Sequence, residues 1–199
     1  MPKHDITFTF LAPWQMGSGF GEGANLDAVP VKSPAGLPYI PGKSVKGLFR
    51  EAMCLAEEFG QVESGSTDRL FGSRDPQLSR YDSTSGLLRF GSATLGTAME
   101  AWASTIDGNG SYLNAAAIQQ LYMPLAATKI NSDGLAHDKS LRKIEAVLPV
   151  TLTATVEFSG SEPALGDTLK LAASLIRQAG SHRHRGLGRV SVTVQEVKP

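Results

Sequence analysis

Four segments of this chain alternate apolar with polar residues in the period of two that is typical of β-strands. The four segments are Asp5–Leu11, Gly86–Leu95, Val150–Phe158 and Leu187–Val197. Two further segments repeat apolar residues at the three-to-four spacing of a buried helix face, one following Ser44 and one running from Leu165 to Ile176. The chain order is therefore strand, helix, strand, strand, helix, strand, which strongly limits the possible folds.

This order predicts an α+β protein, a modified ferredoxin-like (RRM-like) βαββαβ domain whose antiparallel sheet carries two helices on one face. We expect residues 1–199 to form a single domain, with a long Gly- and Pro-rich loop at 12–41 and an insertion at about 124–149. Ser44 is the expected N-cap of the first helix. The residues expected on the buried face of that helix are Val45, Leu48, Phe49, Ala52, Met53, Ala56 and Phe59.

Composition limits the function classes. Apolar residues make up 41% of the chain and charged residues 19%, which is typical of a globular protein. The formal net charge is zero, which argues against a free nucleic-acid binder that works by bulk attraction. Cys54 is the only cysteine, so an intrachain disulfide is excluded, and its position predicts a buried core thiol. Neither a signal peptide nor a membrane span is recognisable, so we expect a cytoplasmic protein without membrane contact.

Two glycine-framed basic segments suggest a polyanionic ligand. The candidate residues are Gly42, Lys43, Ser44, Lys46 and Arg50 in the first segment, and His182, Arg183, His184, Arg185, Gly186 and Gly188 in the second. Glycine allows close backbone approach, and the basic side chains donate hydrogen bonds to phosphate. The first segment also opens a helix, whose N-terminus favours an anion. Two such sites in one small chain predict RNA as the ligand, although solvated basic surfaces are the alternative.

The segment Ile40–Gly47 reads Ile-Pro-Gly-Lys-Ser-Val-Lys-Gly. It resembles the Ile-Pro-Gly-Ser-Ser-Leu-Lys-Gly motif of the RAMP superfamily of CRISPR-associated proteins, although Lys43 stands where the family often has Ser. The glycine-rich loop that this family carries before its last strand is matched by Gly180–Gly188. Within the superfamily, the chain most resembles the repeated backbone subunit of type III effector complexes. The polar excursion Lys129–Glu145, with Asp133-Gly134 as a candidate hairpin tip, sits where the family carries a protruding thumb.

The resemblance implies a guide-RNA-binding subunit of a CRISPR ribonucleoprotein in antiviral defence. Its implied partners are guide RNA, target RNA, other CRISPR effector subunits and further copies of the chain. Asp27 occupies the place of the family's cleavage aspartate, which would make the subunit an endoribonuclease acting on target RNA within the assembled complex. Such a carboxylate would bind Mg²⁺ or Mn²⁺ or orient a 2′-hydroxyl. The alternative is that Asp27 caps a turn, and only Glu22 is a nearby second carboxylate.

Other functions stay open at this point. One is a stand-alone RAMP-type endoribonuclease that processes repeat RNA with His182 or His184 as general acid or base. Another is a non-catalytic RNA-binding scaffold, and a third is a ferredoxin-like module that binds a nucleotide. The aromatic residues that could stack on bases are Trp14, Tyr39 and Tyr81, with packing as the default role of each.

Overall fold

The computed structural model describes residues 3–73, 84–160 and 164–197. Its strands are β1 (Lys3–Phe10), β2 (Leu88–Phe90), β3 (Tyr122–Ala127), β4 (Arg142–Val147), β5 (Thr151–Phe158) and β6 (Val190–Glu196). Its helices are α1 (Gly42–Glu58), α2 (Ser66–Phe71), α3 (Thr97–Ala103), α4 (Ala115–Gln119) and α5 (Leu165–Leu175), followed by a short 3₁₀ turn at Arg183–Arg185. The fold is therefore mixed α+β.

Two antiparallel sheets organise these elements. The larger sheet has the strand order β2-β5-β1-β6, and β3 pairs with β4 in a separate hairpin. One face of the larger sheet is apolar, because alternate residues such as Ile6, Phe8 and Leu152 are fully buried. Both α1 and α5 cover this face, since Phe49 and Leu169 belong to the same core cluster. The opposite face is polar and carries rows of threonines such as Thr151, Thr153 and Thr155 on β5.

The apolar face of α1 is largely as predicted. Val45, Phe49 and Met53 have no exposed surface, and burying side chains of this size contributes about 1.5–3 kcal/mol each. Phe59, in contrast, is 75% exposed, so its predicted burial is wrong. The helix ends at Glu58, and Phe59 caps it beyond Ala56, the last residue of α1 that is buried in the core.

Two further predictions about α1 are also wrong. The helix begins at Gly42, directly after Pro41, and Ser44 lies in the first turn instead of at the N-cap. Cys54 is exposed and free. It lies nine residues after the buried Val45, and nine helical steps of about 100° end on the opposite side of the helix.

The polar excursion forms the loop of the β3–β4 hairpin. Gly134 has a φ of 77°, and the Asn131 backbone N–H donates to the Leu135 carbonyl at 2.8 Å across the turn. The prediction that Asp133-Gly134 is the hairpin tip is confirmed.

Among the described residues, no helix is long and apolar enough to cross a membrane.

The loop at 12–41 contains no regular helix or strand; its two ends are packed into the core, whereas residues 19–25 are exposed. Trp14, Leu37 and Ile40 are fully buried. Isolated bridges connect the loop to the rest of the fold, for example from Trp14 to Val147 on β4. The buried ends of the loop therefore connect the core to the β3–β4 hairpin.

Candidate nucleic-acid interface

The glycine-rich loop, Gly180–Gly188, is fastened at both ends to the segment after β1. The Ser181 backbone N–H donates to the Gln15 carbonyl at 2.7 Å, and the Gly188 N–H donates to the Pro13 carbonyl at 2.9 Å. Gly180 and Gly188 have φ values of 96° and 77°. A Cβ at Gly180 would collide with the backbone of Gln15, and one at Gly188 with the backbone of Ala179. Both glycines are therefore required by the fold itself.

Between these anchors the chain presents its basic side chains. His184 and Arg185 are exposed on the 3₁₀ turn. Arg183 lies 3.7 Å from the carboxylate of Glu51 on α1, and the two side chains are 40% and 62% exposed. Such a surface ion pair is weak, so Arg183 stays available to another anion. The contact shows that the glycine-rich loop lies beside α1.

His182 has an unusual environment. Its φ of 59° is left-handed, which is rare for a residue other than glycine. Its Nδ1 atom is buried and has no hydrogen-bond partner within the described part of the chain. The backbone is held in place because the Arg185 N–H donates to the His182 carbonyl at 2.8 Å. A buried ring nitrogen without a protein partner is uncommon, and its burial keeps this atom from direct contact with a ligand at the surface.

The first basic segment opens α1 against the end of β2. The Gly42 N–H donates to the Ser92 hydroxyl at 3.1 Å, and a Cβ at Gly42 would collide with the carbonyl of Phe90. Lys43 is exposed at the helix start, whereas Lys46 is partly buried. Gly42 thus has a packing role, and the lysines are the groups that can reach a phosphate.

Arg50 differs from the prediction. Its guanidinium is only 8% exposed and donates to the Gly72 carbonyl and, at 2.7 Å, to the Asp68 carboxylate. These contacts tie α1 to α2. Arg50, a candidate RNA-binding residue from the sequence, is therefore turned away from solvent. The guanidinium of Arg50 forms hydrogen bonds within the protein, so we do not assign Arg50 to a ligand.

Asp27 lies beside Lys143 on β4, at the end of the hairpin's strands from which the loop 128–141 extends. Its exposed carboxylate accepts the Lys143 backbone N–H at 2.7 Å, and its own N–H donates to the Lys143 carbonyl at 2.7 Å. Ala28 then forms a parallel bridge with Ile144. The loop adds a short third strand to the hairpin, and this positions Asp27.

The donor set around Asp27 is incomplete for a cation. One of its oxygens already accepts the Lys143 N–H, and Glu22 lies in its own tight turn with Leu26. Among the described residues, no cluster of three or more His, Cys, Asp or Glu side chains is arranged to hold a metal. The described side chains around Asp27 therefore do not by themselves complete the oxygen ligands of a divalent cation.

The three aromatic residues predicted as candidates for base stacking differ in their surroundings. Trp14 is fully buried and stacks on Phe10 with ring centroids 4.2 Å apart, so it has the packing role. Tyr39 is partly buried. Tyr81 lies outside the described residues.

The family model of the RAMP superfamily matches residues 7–191. This chain belongs to the RAMP superfamily. Its structure is similar to a chain in a cryo-EM structure of the type III-B Cmr-beta bound to cognate target RNA, with a TM-score of 0.68, 11% identity and 96% coverage of each chain. It is also similar to a chain in the cryo-EM structure of the type III-B Cmr-beta apo state, with a TM-score of 0.63, 11% identity, and coverage of 98% of this chain and 97% of that chain. No curated protein matches the sequence.

Sequence reasoning missed one residue of this RAMP site. Gln15 is 1% exposed, and its side-chain amide donates to the Ala28 carbonyl at 3.2 Å and to the Glu145 carbonyl at 3.0 Å. Its own carbonyl accepts the Ser181 N–H. Gln15 therefore contacts the Asp27 loop, β4 and the glycine-rich loop at once. No periodic signal in the sequence marks it.

A second missed feature is a charge cluster under the base of the hairpin. Lys32 lies 2.7 Å from the carboxylate of Glu145, which is 4% exposed, and 4.1 Å from the ring centroid of Tyr122. The Tyr122 hydroxyl donates to the Gly36 carbonyl. Burial, followed by the negative charges of Glu145 and Glu100, raises the pKa of Tyr122, so its hydroxyl stays a donor. The cluster fixes the loop to β3 and β4.

Proposed function

We propose that this RAMP protein is a guide-RNA-binding backbone subunit of a type III CRISPR ribonucleoprotein effector complex. The observation that carries the proposal is the placement of the glycine-rich loop beside α1, linked by Arg183 and Glu51. This contact brings the glycine-rich loop to the helix that the first basic segment opens. The likeness to a chain of the type III-B Cmr-beta bound to cognate target RNA supports RNA as the ligand.

In this proposal the domain is a modified ferredoxin-like fold with a thumb. The strand order β2-β5-β1-β6, with α1 and α5 on one face, supports the first part. The β3–β4 hairpin and its exposed loop, residues 128–141, would be the thumb that interrupts the guide–target duplex at intervals. Other effector subunits and further copies of the chain would be its protein partners.

The guide strand would be held mainly through its phosphates. Lys43, Lys46, Arg183 and Arg185 would donate charge-assisted hydrogen bonds, and the glycines would let the strand approach the backbone. Because phosphate contacts carry no direct sequence information, one subunit would bind any guide sequence. A local basic surface on a chain of zero net charge suits a subunit that holds RNA within an assembly.

We further propose that the assembled complex cuts target RNA at Asp27. The carboxylate would hold Mg²⁺ or Mn²⁺ together with RNA oxygens, since the described protein residues do not complete a cation site. A cation held there would stabilise the charge on the scissile phosphate. Alternatively, the carboxylate would accept a hydrogen bond from the attacking 2′-hydroxyl and orient it.

The proposal is tested by expressing the chain with its genomic neighbours and sizing any RNA that copurifies. RNA of a defined length, together with the neighbouring subunits, is the expected result. A chain that carries no RNA in such a preparation would contradict the proposed function. Cleavage of a repeat-RNA hairpin by the isolated chain would instead identify a stand-alone processing nuclease.

A further inference from the structure

Gln15 joins the two ends of the proposed site. On one side, its carbonyl accepts the Ser181 N–H of the glycine-rich loop at 2.7 Å. On the other side, its side-chain amide donates to the carbonyl of Ala28, the residue that follows Asp27. A single side chain and its own peptide group thus span the distance between the proposed guide-binding loop and the proposed cleavage aspartate.

The surroundings leave Gln15 little freedom. It is 1% exposed, so both amide protons must find partners inside the protein. These partners are the carbonyls of Ala28 and Glu145, which themselves belong to the short parallel pairing of the Asp27 loop with β4. The Glu145 N–H also donates to the Ala28 carbonyl at 2.9 Å. The amide of Gln15 therefore closes a small hydrogen-bonded ring that sets the position of Ala28.

The glycine-rich loop is equally dependent on this segment. Gly180 has no Cβ, and only for that reason can it pack against the backbone of Gln15. Gly17, two residues after Gln15, faces the Ser181 hydroxyl, since a Cβ on Gly17 would lie 3.3 Å from that oxygen. A displacement of the loop by bound RNA would therefore move the backbone of Gln15, and with it the amide that holds Ala28.

We infer that Gln15 is a positioning residue that couples RNA binding at the glycine-rich loop to the placement of Asp27. This inference rests on the proposed function. It assigns no chemistry to Gln15, which lies within the protein and does not reach the ligand. Its role is to transmit the position of the loop at Ser181 to the backbone at Ala28.

The test uses the assembled complex and hydrogen exchange read by mass spectrometry, with and without guide RNA. In the wild-type complex, guide RNA is expected to slow exchange both in the glycine-rich loop and at residues 27–29. In Gln15→Met, which keeps the side-chain length but removes the amide, protection of the glycine-rich loop should persist. Guide RNA should no longer slow exchange at residues 27–29, whereas the loss of one or two hydrogen bonds alone would speed exchange there about tenfold both with and without RNA.

Gln119→Met is the matched control. Its amide also approaches Glu145, at 3.4 Å from the carboxylate, but no hydrogen bond joins it to Ala28 or Ser181. It should leave the exchange pattern unchanged. If Gln15→Met does not assemble, Gln15→Asn tests the same role, because its shorter side chain keeps the amide but cannot span both carbonyls.

Three outcomes are decisive. Loss of the RNA-dependent slowing at 27–29 alone, with guide affinity within about twofold of wild type, supports the coupling. An undiminished RNA-dependent slowing at 27–29 in both Gln15 variants overturns it and leaves the proposed function standing. A wild-type complex that holds no RNA overturns the proposed function and the coupling together.

Discussion

Asp27 and Lys143 hold each other by a reciprocal pair of hydrogen bonds. The Lys143 N–H donates to the Asp27 carboxylate at 2.7 Å, and the Asp27 N–H donates to the Lys143 carbonyl at 2.7 Å. The two residues are 116 positions apart in the chain. The pairing fixes a loop carboxylate beside the end of β4 that adjoins the hairpin loop and leaves it exposed to solvent.

Replacing Asp27 should abolish target cutting without weakening RNA binding. Asp27→Asn retains an oxygen that can accept the Lys143 N–H, so the loop keeps its position while the negative charge is lost. Asp27→Ala loses both. Both variants should fail to cut a matched target with Mg²⁺ or Mn²⁺, while guide and target affinity stay at the wild-type level in a filter-binding assay. Wild-type cutting by Asp27→Asn would contradict a role for the carboxylate charge.

Removing charge from both basic segments should weaken RNA binding and reduce its salt dependence. In Lys46→Gln/Arg185→Gln, two fewer phosphates are neutralised, so the slope of log affinity against log salt should become shallower by about 1.4. The loss should be the same for unrelated RNA sequences. Fluorescence titrations over a series of salt concentrations measure both quantities.

A matched control removes the same charge elsewhere. Lys3 and Arg89 are exposed, and their partner Glu157 lies on the polar face of the larger sheet. Lys3→Gln/Arg89→Gln should leave the salt slope unchanged. Equal effects of the two double variants would mean that binding follows net charge and that no local basic surface exists.

The regular elements could be predicted from the sequence because their burial is periodic. Alternate residues of β1, β5 and β6 face the core, and these residues are apolar, so the sequence alternates with a period of two. The same holds for Val45, Phe49 and Met53 on α1. The prediction that Cys54 is buried is wrong, and the spacing of nine residues from Val45 places it on the opposite helix face.

Contacts between distant residues could not be predicted in this way. Arginine is a residue type that often binds phosphate. The sequence does not show that α2 packs beside α1, where Asp68 forms an ion pair with Arg50. Gln15 is an unremarkable polar residue in a loop without period, and its role depends on three segments meeting around it. Motifs located Asp27 and the glycine-rich loop, whereas the connection between them required the structure.

Because Arg50 is bonded within the protein and Lys43 is exposed, substitutions at these two positions should have opposite effects on stability and RNA affinity. Arg50→Met should lower stability by about 1–3 kcal/mol, because the Gly72 carbonyl loses its donor. RNA affinity should not change. Lys43→Met, at an exposed position, should weaken RNA binding without lowering stability. Urea denaturation and RNA titration of both variants measure the contrast, and weaker RNA binding by a stably folded Arg50→Met would restore Arg50 to the interface.

The loop of the hairpin should be dispensable for folding. Residues 128–141 bury little, and the hydrogen bonds of Ser140 go to Thr128, Lys129 and His137 within the same loop. Deleting 132–140 should therefore cost less than about 1 kcal/mol, or a melting-temperature shift of no more than about 2–4 °C. Differential scanning calorimetry measures the shift. A much larger loss would show that the loop packs on the domain.

Lys32 should matter far more to stability than most lysines, because Glu145 is 4% exposed and depends on it for charge compensation. Lys32→Met leaves a buried carboxylate without its cation, which costs about 3–5 kcal/mol when the pair is fully buried. Since the Lys32 side chain is 29% exposed, we expect a loss of about 2–3 kcal/mol. Lys32→Met/Glu145→Gln should recover most of it, because the neutral amide needs no counter-charge. Urea unfolding of the single and double variants measures the stability loss and its recovery. A double variant as unstable as Lys32→Met would show that the lysine acts through its packing on Tyr122 and not through its charge.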